Sequence, residues 1–381
     1  MCDQLSWSPG RPRPGGGAQR TGRPPLHDCP AETPVSVKLQ IGPATGIFAA
    51  CMRDLAKKAI LASGALRLAG DLHAPSAAIL MYHSVLPDPA AQADSLGGII
   101  HSEVEFRAQM ELLAREFHPL SLDEMVKRFH AGEDLPKRCV VVTFDDGYAD
   151  NYEVAMPILD RFSIPAVFYA TVDCVENKKL PWPSRLRFAF RKTKLTAWSD
   201  PLSKSWNLSD PPHREQAYLA ACDDCCQLSG PAQEEFVKRI EQGLKTCLPV
   251  ESGSLMMTYE QLRGLTLHGH VVGSHTMTHP NMAQVKPEDA YRELAESKQR
   301  LEQQLGMPIN HFSYPCPALS PHWSERTVEQ SRALGYETAV TTDSGLARRG
   351  DNLLCLKRLR PTKTQPGLRW NLESAFAGRA V

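Results

Sequence analysis

The sequence predicts an α/β fold in which parallel strands alternate with helices around a barrel. Three observations support this. Short apolar segments recur between amphipathic helical segments from about Ala77 onward. One of them, Cys139 to Phe144 (CVVVTF), shows no polar alternation, as a parallel strand covered on both faces would not. Polar residues gather just after the strands: His83, Asp145-Asp146, His275, Tyr314-Pro315 and Thr341-Thr342-Asp343. In a barrel of parallel strands all C-terminal ends open on one face, where active sites are built.

Each element has a local reason. Ala77 to Tyr82 (AAILMY) reads as a strand. Val104 to Phe117 reads as a helix with Phe106, Met110, Leu113 and Phe117 on one face. Ser121 opens a second helix, with Glu124 placed for a capping box. The strand Cys139–Phe144 precedes a helix from about Asn151 to Phe162, and Pro165 marks entry to a strand from Ala166 to Thr171. Residues 177–257 break the rhythm with Trp182, Trp198, Trp206 and charge, and read as an insertion with helices near Glu215–Cys226 and Glu234–Leu244. Thr258 and Gln261 then cap a helix ending at Gly269, and Val271-Val272 starts a strand. A charged helix from Pro287 to Leu305 stops at Gly306, and Phe312 to Tyr314 is a strand. A helix opened by Ser320-Pro321 ends at Gly335, before a strand from Thr338 to Thr341.

The outer bounds follow from composition. Residues 1–51 read as a disordered or spurious N-terminal extension, since Ser8 to Gly17 is largely Pro, Gly and Arg. Ile47 to Cys51 faintly resembles a lipoprotein cleavage box, but the segment before it lacks a hydrophobic core. Residues 52–76 read as an amphipathic basic lead-in helix, 77–365 as the barrel domain and 366–381 as a C-terminal tail. No apolar run reaches the roughly 18 residues a membrane span needs. A cytoplasmic or membrane-peripheral location is the expectation. With 43 basic and 43 acidic residues, nothing in the charge points to nucleic acid or an anionic membrane. Three of the eleven cysteines cluster, Cys222, Cys225 and Cys226, and they lack a matching second pair of ligands for structural zinc.

The chemistry concentrates in two segments. Adjacent carboxylates at a buried strand tip repel unless a cation or a shared proton separates their roles, so Asp145 and Asp146 predict a metal beside a base. His275 and His279 add two imidazoles four residues apart, and with one Asp they offer two nitrogens and one oxygen with open positions for water and substrate. His268-Gly269-His270 precedes a strand and so belongs to the opposite face, where it reads as structural.

Thr143-Phe144-Asp145-Asp146-Gly147-Tyr148 and His275-Thr276-Met277-Thr278-His279-Pro280 resemble the first two motifs of the NodB-type polysaccharide deacetylases, carbohydrate esterase family 4. The resemblance spans about Ala77 to Pro361 without the insertion. It implies a distorted (β/α)7 barrel and metal-dependent removal of acetyl groups from N-acetylated glycans. It also implies Asp145 as general base, and Asp146, His275 and His279 as ligands of one divalent ion. That ion is most often zinc, with cobalt, nickel or manganese as alternatives. Thr276 would fix the loop between the two histidines. The third motif is partial: His311-Phe312-Ser313-Tyr314-Pro315-Cys316-Pro317 lacks the arginine that braces the base, and Arg358 is the candidate to replace it. Ile79-Leu80-Met81-Tyr82-His83 resembles the last motif moved to the front, as in circularly permuted members, which makes His83 the candidate general acid. A backbone N–H near Tyr314 is the expected oxyanion donor. Alternative functions are a barrel hydrolase of another small amide and a glycan-binding domain without turnover.

Overall fold

The computed structural model describes residues 52, 55–87, 100–248, 255–316 and 320–379. These lie in the unit Asp54–Val381 apart from Met52, and the proposed extension 1–51 falls outside the described residues. The chain-order elements are β1 (Ser76–Tyr82), α1 (Glu103–Glu116), α2 (Leu122–Ala131), β2 (Cys139–Phe144), α3 (Met156–Arg161) and β3 (Ala166–Ala170). The insertion contributes α4 (Trp182–Lys192), α5 (Pro211–Cys225) and α6 (Gly230–Gly243). Then follow α7 (Tyr259–Leu267), β4 (Val271–Ser274), α8 (Pro287–Leu305), β5 (His311–Ser313), α9 (Glu325–Ala333), β6 (Thr338–Ser344), β7 (Leu356–Arg358) and α10 (Gln365–Phe376).

The strands β1 to β7 are neighbours in that order, each parallel to the next. The ring closes on itself. Leu359, just past β7, bridges Leu80 of β1, with Met81 N–H donating to Leu359 O at 3.0 Å and Leu359 N–H to Ile79 O at 2.8 Å. This is the (β/α)7 barrel expected from the sequence.

The alternation missing from the sequence is present in space. Ala78, Leu80, Val140, Val142, Phe144 and Phe168 join the layer shared with α1, α3 and α8. Ala77, Ile79, Val141, Val167, Tyr169, Val340 and Leu356 form a second cluster, closed by Leu122, Met125 and Val126 of α2. Both sets are buried, so successive residues alternate between two apolar environments and no polar position appears. Thr143 and Asp145 continue the parity of Val141. Asp145 therefore belongs to the barrel-interior row.

Gly273 of β4 shows how tightly this interior is filled. A Cβ there would lie 2.5 Å from Tyr169 Cδ1 and 2.8 Å from His311 O. Gly273→Ala is expected to lower stability by about 1–3 kcal/mol through overpacking, measured as a shift in the urea midpoint. An unchanged midpoint would mean that the β3–β5 wall yields freely.

Several expected boundaries are corrected. Of the expected tail 366–381, residues 366–376 instead lie in α10, which buries Leu368, Leu372, Ala375 and Phe376, and Gly70 packs on Phe376. The lead-in is two helices, 55–62 and Ala65–Asp71, because Gly64 between them takes φ 70°. The helix α9 starts at Glu325 behind a Ser324–Thr327 capping box, not at Ser320-Pro321, since Ser324 offers the reciprocal pair that the earlier serine lacks. Ser121 accepts from Glu124 N–H, but the Glu124 side chain turns to Arg128 at 2.9 Å, so only half of that capping box forms. The pair Thr258–Gln261 forms both halves.

The insertion has a core of its own. Trp182, Leu186, Phe190, Trp198, Tyr218, Cys222, Cys225, Cys226, Val237 and Ile240 pack together. Cys222, Cys225 and Cys226 are buried in this core and fill space as small apolar residues.

Candidate active site

The tips of β2, β4 and β7 converge. Asp145 and Asp146 follow β2, and Asp146 takes φ 76°, which a non-glycine residue adopts at a cost. The same left-handed conformation recurs at Thr276 (φ 68°) and His279 (φ 60°). Three such residues around one point indicate a loop held in place by its surroundings. Thr276 Oγ1 donates to His275 O at 2.5 Å and accepts from His279 N–H at 3.0 Å, tying the turn between the two histidines.

That turn is anchored from outside by groups to which the sequence assigned no role in the site. Glu293 of α8 accepts from Met277 N–H and Thr278 N–H, both at 2.8 Å, and from Thr278 Oγ1 at 2.5 Å. Trp182 of α4 donates its indole N–H to His279 O at 2.8 Å. Glu293 was invisible because its helix is charged throughout, and a Glu there reads as a solvated face.

Burial pushes the Glu293 carboxyl up to about 7 against those hydrogen bonds, with Asp173 adding to the rise. The folded state then holds the proton more tightly than the unfolded chain, whose carboxyl titrates near 4.5. This contribution to stability is full below pH 4.5 and is lost as pH rises to about 7, roughly 3 kcal/mol at 1.36 kcal/mol per unit. Glu293→Gln is expected to flatten the stability profile in that window, measured by urea unfolding at intervals between the two pH values. Identical slopes in both proteins would contradict it.

The three residues expected from the sequence to hold a cation come together. Asp146 Oδ1 lies 3.4 Å from His275 Nε2 and 3.4 Å from His279 Nε2, and all three residues are buried. His275 Nδ1 faces Ser313 O at 2.7 Å; a carbonyl only accepts, so Nδ1 carries the hydrogen and Nε2 presents its lone pair. Asp146 Oδ1 has no hydrogen-bond partner although it is buried. Two imidazole nitrogens and one carboxylate oxygen thus converge without bonding one another, which fits a divalent cation among them. The electrostatics agree. Burial would raise Asp146, but the imidazoles of His275 and His279 hold it well below the carboxylate range. Burial would lower His275, but Asp146 and Asp145 raise it, so the local field favours a positive charge.

Asp145 faces a different partner. Arg358, 1% exposed, donates from Nη1 to Oδ1 at 2.8 Å and from Nη2 to Oδ2 at 2.7 Å. The same guanidinium donates to Thr341 O, Thr143 Oγ1 and Ser313 Oγ, so every part of its fork is engaged. Burial would raise the Asp145 carboxyl, and Arg358 with His275 outweighs it and holds it low. Asp145 is an anion fixed in orientation. The brace comes from β7, a three-residue strand too short to read from periodicity.

His83 lines the same cavity, of about 450 Å³, with Asp145, Asp146, His275 and His279. Its turn is clamped by two residues after β2. Asn151 Nδ2 donates to His83 O at 2.6 Å, while Asp150 accepts from Ser84 Oγ at 2.6 Å and Val85 N–H at 2.9 Å. Tyr314 is elsewhere. Its N–H donates to Val340 O at 3.0 Å and its hydroxyl to Leu354 O at 3.2 Å, and Pro315 carries no N–H. The N–H of Tyr314 itself is part of the β5–β6 ladder, and Cys316, two residues further on, lines the cavity.

Two other clusters lie away from this mouth. His268 and His270 both contact Asp160, at 2.6 and 3.1 Å. Asp123, His311 and Glu337 also come together, but both His311 nitrogens are engaged, by Thr338 Oγ1 at 2.9 Å and Asp123 at 2.8 Å.

The sequence profile of the polysaccharide deacetylases matches residues 132–197 and 239–339, which include β2, the Asp pair, β4 and both histidines. The chain belongs to the polysaccharide deacetylase family. The break in the match, 198–238, falls inside the insertion. A relative named for the same family, YxkH of Bacillus subtilis (strain 168), is 21% identical over 299 residues, 78% of this chain and 75% of that protein. The poly-β-1,6-N-acetyl-D-glucosamine N-deacetylase of Escherichia coli (strain K12) is 40% identical, over 52 residues only, 14% of this chain and 8% of that protein. The fold is similar to that of the Streptococcus pyogenes deacetylase PplD in complex with acetate, with a TM-score of 0.52 at 21% identity over 78% of this chain and 97% of that one. Among the described residues, no helix of this chain is long and apolar enough to cross a membrane.

Proposed function

We propose that the chain hydrolyses the acetamido group of N-acetylated poly- or oligosaccharides with the help of one divalent cation, zinc before cobalt, nickel or manganese. The observation that carries this reading is the pairing of an unbonded Asp146–His275–His279 donor set with a neighbouring carboxylate locked by Arg358. A family member named for poly-N-acetylglucosamine supports the choice of substrate class.

Asp146, His275 and His279 would hold the cation. When bound, it would polarise the acetyl carbonyl and favour ionisation of water at the site. The chain's own residues do the rest. Asp145, anionic and fixed in orientation by Arg358, accepts a proton from the attacking water. His83 donates a proton to the departing nitrogen, without which an amine leaves poorly. The Asp150–Asn151 clamp keeps His83 at the cavity wall. The closure of β1 against the strand end after β7 supports a permuted member, in which the first strand brings the acid to the site.

Acetate release is the test. Metal-replete protein is expected to release acetate from N-acetylglucosamine oligomers and to leave small linear amides and cyclic imides intact. Turnover of the small amides alone would favour another barrel hydrolase. Glycan binding with no acetate from any oligomer would favour a binding domain.

A further inference from the structure

The catalytic cavity holds more positive charge than its chemistry uses. Asp145 is paired with Arg358, and Asp146 lies with His275 and His279 at the site expected to hold the cation. The other charged side chains lining the cavity are Arg187 and Arg360, both cations. Arg187 comes from α4 of the insertion. Its guanidinium stacks on the Tyr218 ring at 4.3 Å, with Glu215 at 3.5 Å on the rim. Arg360 follows β7, is exposed, and has no carboxylate in ion-pair distance among the described residues. In a chain whose net charge is zero, this is a local asymmetry.

Charged groups continue outward, there in balance. A second cavity of about 440 Å³ shares Arg187 and Tyr218 with the first. It adds Arg191 and Arg214 against Asp210 and Glu215. The three tryptophans that could have met sugar rings do not line either cavity: Trp182 and Trp198 are buried, and Trp206 donates to Asp200 at 2.8 Å under Lys204. The insertion instead presents arginine. A neutral acetamido sugar offers guanidinium groups only hydroxyl and carbonyl acceptors, whereas a carboxylate or phosphate matches their forks in shape and charge.

We propose that the substrate is an anionic glycan, in which a carboxylate or phosphate next to the acetamido sugar is bound between Arg187 and Arg360. The chain then continues past Tyr218 into the second cavity. This rests on the deacetylase reading above and narrows it to a substrate class.

Three oligosaccharide sets separate the alternatives: neutral N-acetylglucosamine oligomers, oligomers alternating N-acetylglucosamine with a hexuronate, and oligomers with phosphodiester links. One charged set is expected to exceed the neutral set by about tenfold in kcat/KM, and that set identifies the anion. The advantage is expected to shrink as ionic strength rises. R187Q and R360Q are expected to bring the charged-to-neutral ratio within about twofold of one, while R187K and R360K retain most of it. Equal kcat/KM on all three sets, or a ratio unmoved by either glutamine variant, would overturn the proposal. Calorimetric binding of the same oligomers to metal-free protein keeps the two readings apart. If no set releases acetate, the deacetylase reading fails. In that case tighter binding of a charged set, lost in R360Q, sustains anion recognition, and equal binding ends it.

Discussion

Arg358→Met is expected to destabilise the protein by about 3–5 kcal/mol, because it leaves the Asp145 carboxylate buried without a partner. The guanidinium is 0% exposed at its side chain and Asp145 3% exposed, so water cannot take its place. Arg358 also bonds Thr143, Ser313 and Thr341, which join β2, β5 and β6 through one side chain. Its loss should therefore loosen the barrel mouth as well as free Asp145 to take up a proton. Denaturant unfolding measures the first effect. The double variant with Asp145→Asn measures the second, since removing both charges should recover part of the loss. A single variant as stable as the wild type would show that the pair contributes nothing and that Arg358 is no brace.

Asp145→Asn is expected to lower kcat for acetate release by roughly 100- to 10,000-fold, the usual worth of a general base. Metal content should not change, because Asp146, His275 and His279 are untouched. The asparagine keeps an acceptor towards Arg358 but has no charge with which to draw a proton from water. Loss of the metal together with activity would move Asp145 from base to ligand. Full activity would remove it from the mechanism.

Most of the barrel was legible because β1, β2 and β3 carry nearly continuous apolar runs and α2 and α7 open on side-chain caps at Ser121 and Thr258. What escaped detection was short or compensated in three dimensions. The strand β7 has three residues, one of them a buried arginine, and no periodicity marks it. The helix α4 carries Pro183 in its first turn and the cationic pair Arg191-Lys192 in its last, and its buried Arg185 is paired with Glu241 and Glu234. The Asp146, His275 and His279 set could be read from sequence because its chemistry depends on residue type at strand ends. The supports could not. Glu293, Asp150 and Trp182 act through hydrogen bonds to backbone, and almost any helix can offer such a residue. Tyr314 shows the opposite case, a residue at the right strand end whose groups point into the sheet and core.

The central claim is that Asp146, His275 and His279 form one cation site on which acetate release depends. Protein stripped with a chelator should release no acetate from N-acetylated oligosaccharides. Titration with zinc should restore release in proportion to bound metal, up to one ion per chain, and His275→Ala should neither bind the ion nor recover. Acetate release that persists at full rate in stripped protein, or that never appears with the site filled, would contradict the account.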